Sequence, residues 1–148
     1  MTSKFITVVI PALNEWKVIK YAVNRVFEAF ETYGLKGECL IMDSSNDHGV
    51  TKHEAESLWA RVISIPKQGI GKAYIDSIPY IRGDYIIMGD ADGTYDFMEM
   101  DGFIKKLDTG YDFVMGSRLR GNIHKGAMPW KNRYIGTPLL TFFINLFF

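Results

Sequence analysis

Gly83-Asp84-Tyr85-Ile86-Ile87-Met88-Gly89-Asp90-Ala91-Asp92-Gly93-Thr94-Tyr95-Asp96 reads as a strand running into an acidic turn. Tyr85 to Met88 is a short apolar run of the kind buried inside a parallel sheet. Gly89 and Gly93 flank Asp90-Ala91-Asp92 and let the backbone turn sharply. Two carboxylates at a strand exit either gather a cation or favour the start of the next helix. The pattern from Phe97 to Leu107 is helical, so capping and dipole stabilisation are a real alternative.

The same unit of strand and polar turn recurs on either side. Phe5 to Ile10 is β-branched and almost continuously apolar, an interior parallel strand, with Pro11 expected to close it. Asn14 is a good N-cap for a helix over Trp16 to Tyr33, in which Val18, Ile19, Ala22, Val23, Val26, Phe27 and Phe30 recur at helical spacing and which Gly34 stops. Glu38 to Met42 is a second strand, ending in the polar turn Asp43 to Gly49. A helix over Thr51 to Ala60 leads to a third strand, Arg61 to Ile65, closed by Pro66. A basic loop follows, Lys67-Gln68-Gly69-Ile70-Gly71-Lys72, then a helix over Ala73 to Ile81 that Pro79 weakens. After the acidic turn and its helix, Tyr111 to Met115 is expected to be a fifth strand, leading to Gly116-Ser117-Arg118. Trp16 and Trp59 are expected to pack helices onto the sheet.

Regular alternation of strand and helix predicts an α/β fold with a mostly parallel sheet flanked by helices. The polar clusters share one position in it. Asn14 and Glu15, Asp43 and Asp47, Lys67 and Lys72, Asp90 and Asp92, and Arg118 each follow a strand's carboxyl end. Ligands of open α/β sheets bind in the crevice at those ends, so one site built from distant parts of the sequence is expected.

Composition sets the outer limits. The 148 residues suit one domain, residues 1–148, with no linker or internal repeat. Seventeen basic residues balance seventeen acidic ones, but unevenly. Arg118, Arg120, Lys125, Lys131 and Arg133 follow Asp112 and no acidic residue does, so the last 36 residues carry +5 and the first 112 carry −5. A basic C-terminal segment suits an anionic partner such as a phosphate or a membrane surface; no nucleic acid is expected. The single cysteine, Cys39, excludes an internal disulfide and a multi-cysteine zinc site, and its apolar neighbours suggest a buried thiol. Phe5 to Ile10 is too short for a signal-peptide core, so a cytoplasmic location is the default expectation.

The chemistry narrows next. No G-x-G-x-x-G follows the first strand and no G-x-x-x-x-G-K-[ST] occurs, so neither a dinucleotide fingerprint nor a P-loop is present. A hard cation such as Mg²⁺ or Mn²⁺ takes carboxylate oxygens and is commonly completed by substrate phosphates. Asp90 and Asp92 suit that task.

Val9-Ile10-Pro11-Ala12-Leu13-Asn14-Glu15, the Asp43 to Gly49 turn, Gly69-Ile70-Gly71-Lys72-Ala73, Asp90-Ala91-Asp92-Gly93 and Gly116-Ser117-Arg118 occur in that order. Together they resemble the family 2 glycosyltransferases of GT-A fold, and more narrowly the dolichyl- or polyprenyl-phosphate sugar synthases. Gly126 to Trp130 and Asn132 to Gly136 are similar to the segment those enzymes place against the membrane. The resemblance implies an inverting hexosyltransferase that takes a GDP- or UDP-linked sugar, uses Mg²⁺ or Mn²⁺, and transfers to a polyprenyl phosphate. It implies that Pro11, Asn14, Glu15, Asp43, Lys72 and Asp90 bind the nucleotide and that Asp90 and Asp92 hold the metal. Asp92, Arg118 and Arg133 would act at the reaction centre, the arginines on donor diphosphate or lipid phosphate. The chain departs from the family pattern at Met42-Asp43, where two adjacent Asp are common, and at Thr94, where close relatives carry glutamine. Relatives also continue past the membrane-facing segment, so this chain is expected to be a truncated catalytic domain.

The acceptor can also be argued from charge. A hydroxyl acceptor needs a general base, whereas a polyprenyl phosphate is already anionic. After Asp112 the chain has cations and His124 but no carboxylate, which favours a phosphate. Residues 119–148 then form a basic and apolar membrane-facing segment. Its tail, Tyr134 to Phe148, falls short of the ~20 residues of a spanning helix. An interfacial helix fits better, with packing on the core or a homo-oligomer contact as alternatives. Two competing readings stand beside this one: transfer to a glycan or other hydroxyl acceptor, and a truncated nucleotide-sugar-binding module without turnover.

Overall fold

β1 (Phe5–Ala12) is the strand against which its neighbours are laid. Its residues Ile6 to Ile10 are fully buried, as a continuous apolar run requires when both sheet faces are covered. The computed structural model describes residues 3–116 and 131–147. The chain divides into two compact units, Met1–Phe113 and Val114–Phe148.

In the first unit β1 is followed by α1 (Ile19–Tyr33), β2 (Lys36–Asp43), α2 (Val50–Glu56), β3 (Arg61–Ser64), α3 (Ile70–Ser77), β4 (Tyr85–Met88) and α4 (Met100–Asp108). The four strands form one sheet in the order β3-β2-β1-β4, every pair parallel. The order reverses direction between β1 and β4, which is where such sheets open a crevice.

Alternation of side chains divides β1 between two layers. Ile6, Val8, Ile10 and Ala12 join Ile19, Val23, Val26 and Phe30 of α1, Ala55 of α2, and Phe97, Met100 and Ile104 at α4. Val9 joins Leu40, Met42 and Ala73 on the other face, beneath α3. Cys39 is buried in the first layer, and its burial pushes the thiol pKa far up, which leaves it inert.

A polar network closes the opposite end of the sheet from the strand exits. The Thr7 hydroxyl donates to Glu38 Oε1 (3.0 Å) and accepts from the Gly83 amide (2.8 Å). Arg61 grips both Glu38 oxygens at 2.9 and 2.8 Å and also donates to the Tyr80 carbonyl. One buried hydroxyl thereby ties β1 to β2 and to the entry of β4.

Several expectations are corrected. β1 runs on through Pro11 and Ala12, with Pro11 opposite Met42, because a proline near a strand's end forfeits little of the ladder. Asn14 does not cap α1; a turn over residues 16–18 intervenes and Val18 holds the cap position. α1 does end at Gly34, which is left-handed (φ 60°). The helix after the basic loop starts earlier than its pattern suggests, at Ile70, and stops at Ser77, giving way to a 3₁₀ turn at Ile78–Tyr80 that accommodates Pro79. β4 is not buried on both sides: Ile86 and Met88 are 47% and 54% exposed, since α3 covers β1 and β2 rather than β4. Trp16 and Trp59 are exposed, the latter at 90%, and neither pins a helix to the sheet. Tyr111 to Met115 forms no strand, having no ladder partner among the described residues.

In the second unit a π-helical turn, Asn132–Gly136, leads into α5 (Thr137–Phe147). Pro138 is the second residue of α5 and follows the π-helical turn without a break, so its missing N–H removes one donor from the helical run. Phe143 stacks on Phe147, with ring planes 11° apart.

Gly37 shows how closely the layers meet. A Cβ there would lie 2.4 Å from the Ile6 carbonyl and 2.6 Å from the Phe30 ring. Gly37→Ala is expected to lower the unfolding free energy by about 1–3 kcal/mol. The measurement is urea denaturation, with a lower midpoint at unchanged slope as the expected result.

Candidate functional site

All four strand exits open into one cleft of ≈ 310 Å³. Pro11, Ala12, Leu13 and Glu15 come from the exit of β1, and Ser44 from that of β2. Lys67, Gly69, Ile70 and Ala73 come from the loop after β3 and the start of α3, and Asp90, Ala91 and Asp92 from the exit of β4. The walls are apolar where Leu13, Ile70 and Ala73 contribute, and charged where Glu15, Lys67 and the two aspartates do.

The acidic turn is fixed at both ends. Upstream, Gly89 is buried; its N–H donates to the Val9 carbonyl (3.3 Å) and its carbonyl accepts from the Tyr74 hydroxyl (3.2 Å). A Cβ on Gly89 would come within 2.7 Å of the Phe97 ring, so only glycine fits there without displacing that ring. Within the turn, Asp92 Oδ1 accepts from the Thr94 amide (2.8 Å), and Gly93 takes φ 80°. Downstream, Asp96 Oδ1 caps the Met98 amide (3.0 Å) and receives Arg25 Nη2 from α1 (2.8 Å). Asp90 is half-buried, and Asp92 is exposed. Helix capping in this stretch therefore falls to Asp96, which leaves Asp90 and Asp92 in the cleft wall.

Burial, with the nearby charges of Asp90 and Tyr95, pushes the Tyr74 phenol well up, so it stays a protonated donor. Partial burial would raise the Asp96 carboxyl, but the Arg25 and Met98 hydrogen bonds outweigh it and hold the group below the usual carboxylate range.

The other expected site residues divide. Pro11, Glu15, Asp90 and Asp92 are brought together in the cleft wall. Asn14 lies beside it in a left-handed conformation (φ 60°). Its amide N–H donates to Ser45 Oγ (2.7 Å), and its side chain exchanges hydrogen bonds with Asn46 (2.8 and 3.0 Å), which binds the exits of β1 and β2 together. Asp43 is buried and accepts from the Ser45 amide (3.0 Å). Asp47 is committed to α2, accepting from the Thr51 amide and hydroxyl, which lowers its pKa. Lys72 pairs with Asp76 one helical turn on and is not in the cleft wall. Because α3 begins at Ile70, the lysine in the wall is Lys67. Its place after a strand was the available signal for it. Arg118 lies outside the described residues, as does the side chain of Arg133, whose backbone belongs to the π-helical turn.

No group of three or more His, Cys, Asp and Glu side chains able to hold a metal occurs among the described residues. Among the described residues Asp90 and Asp92 are therefore not part of an all-protein cage. They fit a hard cation whose remaining ligands come from phosphates and water.

A parallel α/β sheet whose strand exits converge on a carboxylate-bearing cleft belongs to the broad class of nucleotide-binding folds. Comparison with known proteins is more specific. Residues 7–148 match Glycosyl transferase family 2, and the chain belongs to that family. It is 42% identical over 144 residues to the low-salt glycan biosynthesis hexosyltransferase Agl6 of Haloferax volcanii, covering 97% of this chain and 34% of that protein. It is 28% identical over 119 residues to the undecaprenyl-phosphate 4-deoxy-4-formamido-L-arabinose transferase of Edwardsiella ictaluri, covering 76% of this chain and 37% of that one. The chain thus spans about a third of the length of these curated relatives. Among solved structures it resembles glucosyl-3-phosphoglycerate synthase from Mycobacterium tuberculosis in complex with Mn²⁺, UDP and glucosyl-3-phosphoglycerate. The TM-score is 0.61 and the identity 29%, over 73% of this chain and 41% of that one. The GT-A-like fold expected from the sequence is therefore present.

The Asp96–Arg25 pair gives a pH-dependent prediction. A carboxyl held below its ordinary value of about 3.9 stabilises the fold above that pH. The contribution is lost as pH falls through the folded-state value. Arg25→Met is expected to raise the Asp96 pKa, measured by NMR titration of the side-chain carboxyl carbon. An unchanged Asp96 titration would show that the pair does not hold this end of the turn.

Proposed function

We propose that the chain carries the donor-binding half of an inverting glycosyltransferase that moves a hexose from a UDP- or GDP-linked sugar to a polyprenyl phosphate, with Mg²⁺ or Mn²⁺ as cofactor. The observation that carries this reading is the convergence of Glu15, Lys67, Asp90 and Asp92, from three strand exits, on one cleft. An apolar wall suits a base and ribose, and a lysine in the same cleft as two carboxylates suits a diphosphate bridged through a cation. The Mn²⁺ and UDP named for the mycobacterial synthase support the cofactor and the donor class.

In this reading Pro11, Asn14, Glu15 and Asp43 shape the nucleotide pocket. Asp90 and Asp92 hold the cation against the diphosphate, and Lys67 adds a second positive charge there. The bound cation would offset the negative charge that develops on the departing diphosphate. An anionic phosphate oxygen of the acceptor attacks the anomeric carbon from the face opposite the diphosphate. The new C–O bond forms as the old one breaks, and no proton has to be removed. Arg118 and Arg133 would receive the acceptor phosphate.

The polyprenyl phosphate is supported by the name of the Edwardsiella relative and by the basic C-terminal segment. Attachment to a membrane surface on its cytoplasmic side is part of the same proposal. No helix among the described residues is long and apolar enough to cross a bilayer. α5, apolar at Leu139, Leu140, Phe142, Phe143, Leu146 and Phe147, suits an interfacial position instead. A second reading, a hydroxyl acceptor, is favoured by the phosphoglyceric acid named with UDP-glucose and Mn²⁺ in another complex of the mycobacterial synthase.

Calorimetry with UDP and GDP, with Mn²⁺ or with chelator, tests the donor site. Wild-type protein should bind one nucleotide more tightly with Mn²⁺. Asp92→Asn should remove most of that gain, a loss of about tenfold or more in affinity, ~1.4 kcal/mol. Lys67→Ala should weaken binding roughly tenfold with or without metal. An unchanged affinity in Asp92→Asn under both conditions would sink the metal assignment. Transfer from a radiolabelled sugar nucleotide to undecaprenyl phosphate in vesicles, but not to phosphoglycerate, separates the two acceptors.

A further inference from the structure

The Tyr74 hydroxyl donates to the carbonyl of Gly89, the residue immediately before Asp90. Tyr74 belongs to α3, and its neighbours Ala73 and Ile70 line the same cleft as Asp90 and Asp92. The hydrogen bond therefore joins the two sides of the site directly. We propose that Tyr74 is a positioning residue that sets the placement of Asp90 and Asp92 relative to the α3 wall, and so tunes how well a metal-bound nucleoside diphosphate fits between them.

Three contacts converge on Gly89, and each constrains it differently. Its N–H is held by the Val9 carbonyl of β1 at 3.3 Å, which fixes its height above the sheet. Its Cα faces the Phe97 ring, which blocks movement toward the α1 and α4 layer. Its carbonyl is held by Tyr74 at 3.2 Å, which fixes the orientation of the peptide leading into Asp90. Without the hydroxyl, the first two contacts would remain and the strand would still end in the same place. The peptide between Gly89 and Asp90 would lose its hydrogen bond to α3. Rotation of that peptide swings the Asp90 side chain, and Asp92 follows through the short Ala91 link. Tyr74 also packs against the buried layer of Val9, Leu40, Met42 and Ala73, so its ring stays anchored when only the hydroxyl is removed.

This inference rests on the proposed donor site, and Tyr74→Phe tests it because the change removes one oxygen and keeps the ring. UDP and GDP titrations, each with Mn²⁺ and with chelator, are compared for wild type and variant. The expected result is a loss of about threefold to tenfold in affinity with Mn²⁺. Affinity under chelator and the thermal midpoint without ligand should be nearly unchanged. Electron paramagnetic resonance of Mn²⁺ in the presence of the nucleotide should show a matching fall in the bound fraction. Equal loss with and without metal would assign Tyr74 to general support of the pocket and overturn the proposal. So would full retention of the metal-dependent gain. Absence of any metal-dependent gain in wild type would instead bring down the donor-site reading itself, together with the role of Tyr74 in it. Tyr74→Leu, which removes the ring as well, should lower the thermal midpoint and so separates loss of packing from loss of the hydroxyl.

Discussion

Parallel pairing of β1 with β2 on one side and β4 on the other is the constraint on which the site depends. Parallel neighbours deliver their carboxyl ends to the same edge of the sheet, so each connection must leave from that edge. Full burial of Ile6 to Ile10 makes the arrangement hard to alter, since a register slip of one residue would exchange the two apolar layers. The Thr7 hydroxyl adds a polar lock to the same pairing, because its partners Glu38 and Gly83 meet only in this register. Residues as distant in sequence as Glu15 and Asp92 are gathered into one cleft by backbone geometry alone.

What the cleft adds to the sheet is a rigid frame around a short acidic turn. Gly89 is fixed from both layers, and Asp96 is tied to α1 and to its own helix. Between these anchors, Asp90 and Asp92 sit on only a few residues of backbone. Holding two like charges close together is costly in the absence of a cation, and a stiff support is what lets such a turn keep its shape. Asp90 is partly buried and Asp92 exposed, so the two carboxylates differ in their access to solvent.

The fold was largely legible because its main signals are local. A continuous apolar β-branched run marked β1 and a short apolar run marked β2, helical spacing marked α1, and Gly34 marked the end of that helix at its left-handed turn. The gathering of strand exits was legible from topology. Features that depend on a distant neighbour were not. Asn14 has the composition of a helix cap, but its side chain is taken by Asn46 across the gap to β2. Ile86 and Met88 look like core because nothing in their own sequence reports that α3 stops short of them. Tyr111 to Met115 has strand propensity without a ladder partner, and propensity alone does not make a strand. Lys67 and Lys72 flank the same loop, and only the starting residue of α3 decides which of them enters the cleft wall. Tyr74 carried no signal at all, since its one informative contact spans fifteen residues of sequence.

The contact between Gly89 and Phe97 makes these two positions share a single allotment of volume. Their substitutions are thermodynamically coupled, and the effect of enlarging one depends on what occupies the other. A side chain at 89 becomes admissible only when 97 is trimmed, and trimming 97 opens the layer where Met100 and Ile104 pack. Redesign of the carboxylate turn for another cation or donor therefore reaches into the hydrophobic core. In family members that depart from glycine at this point, the compensating change should be sought at the start of the following helix.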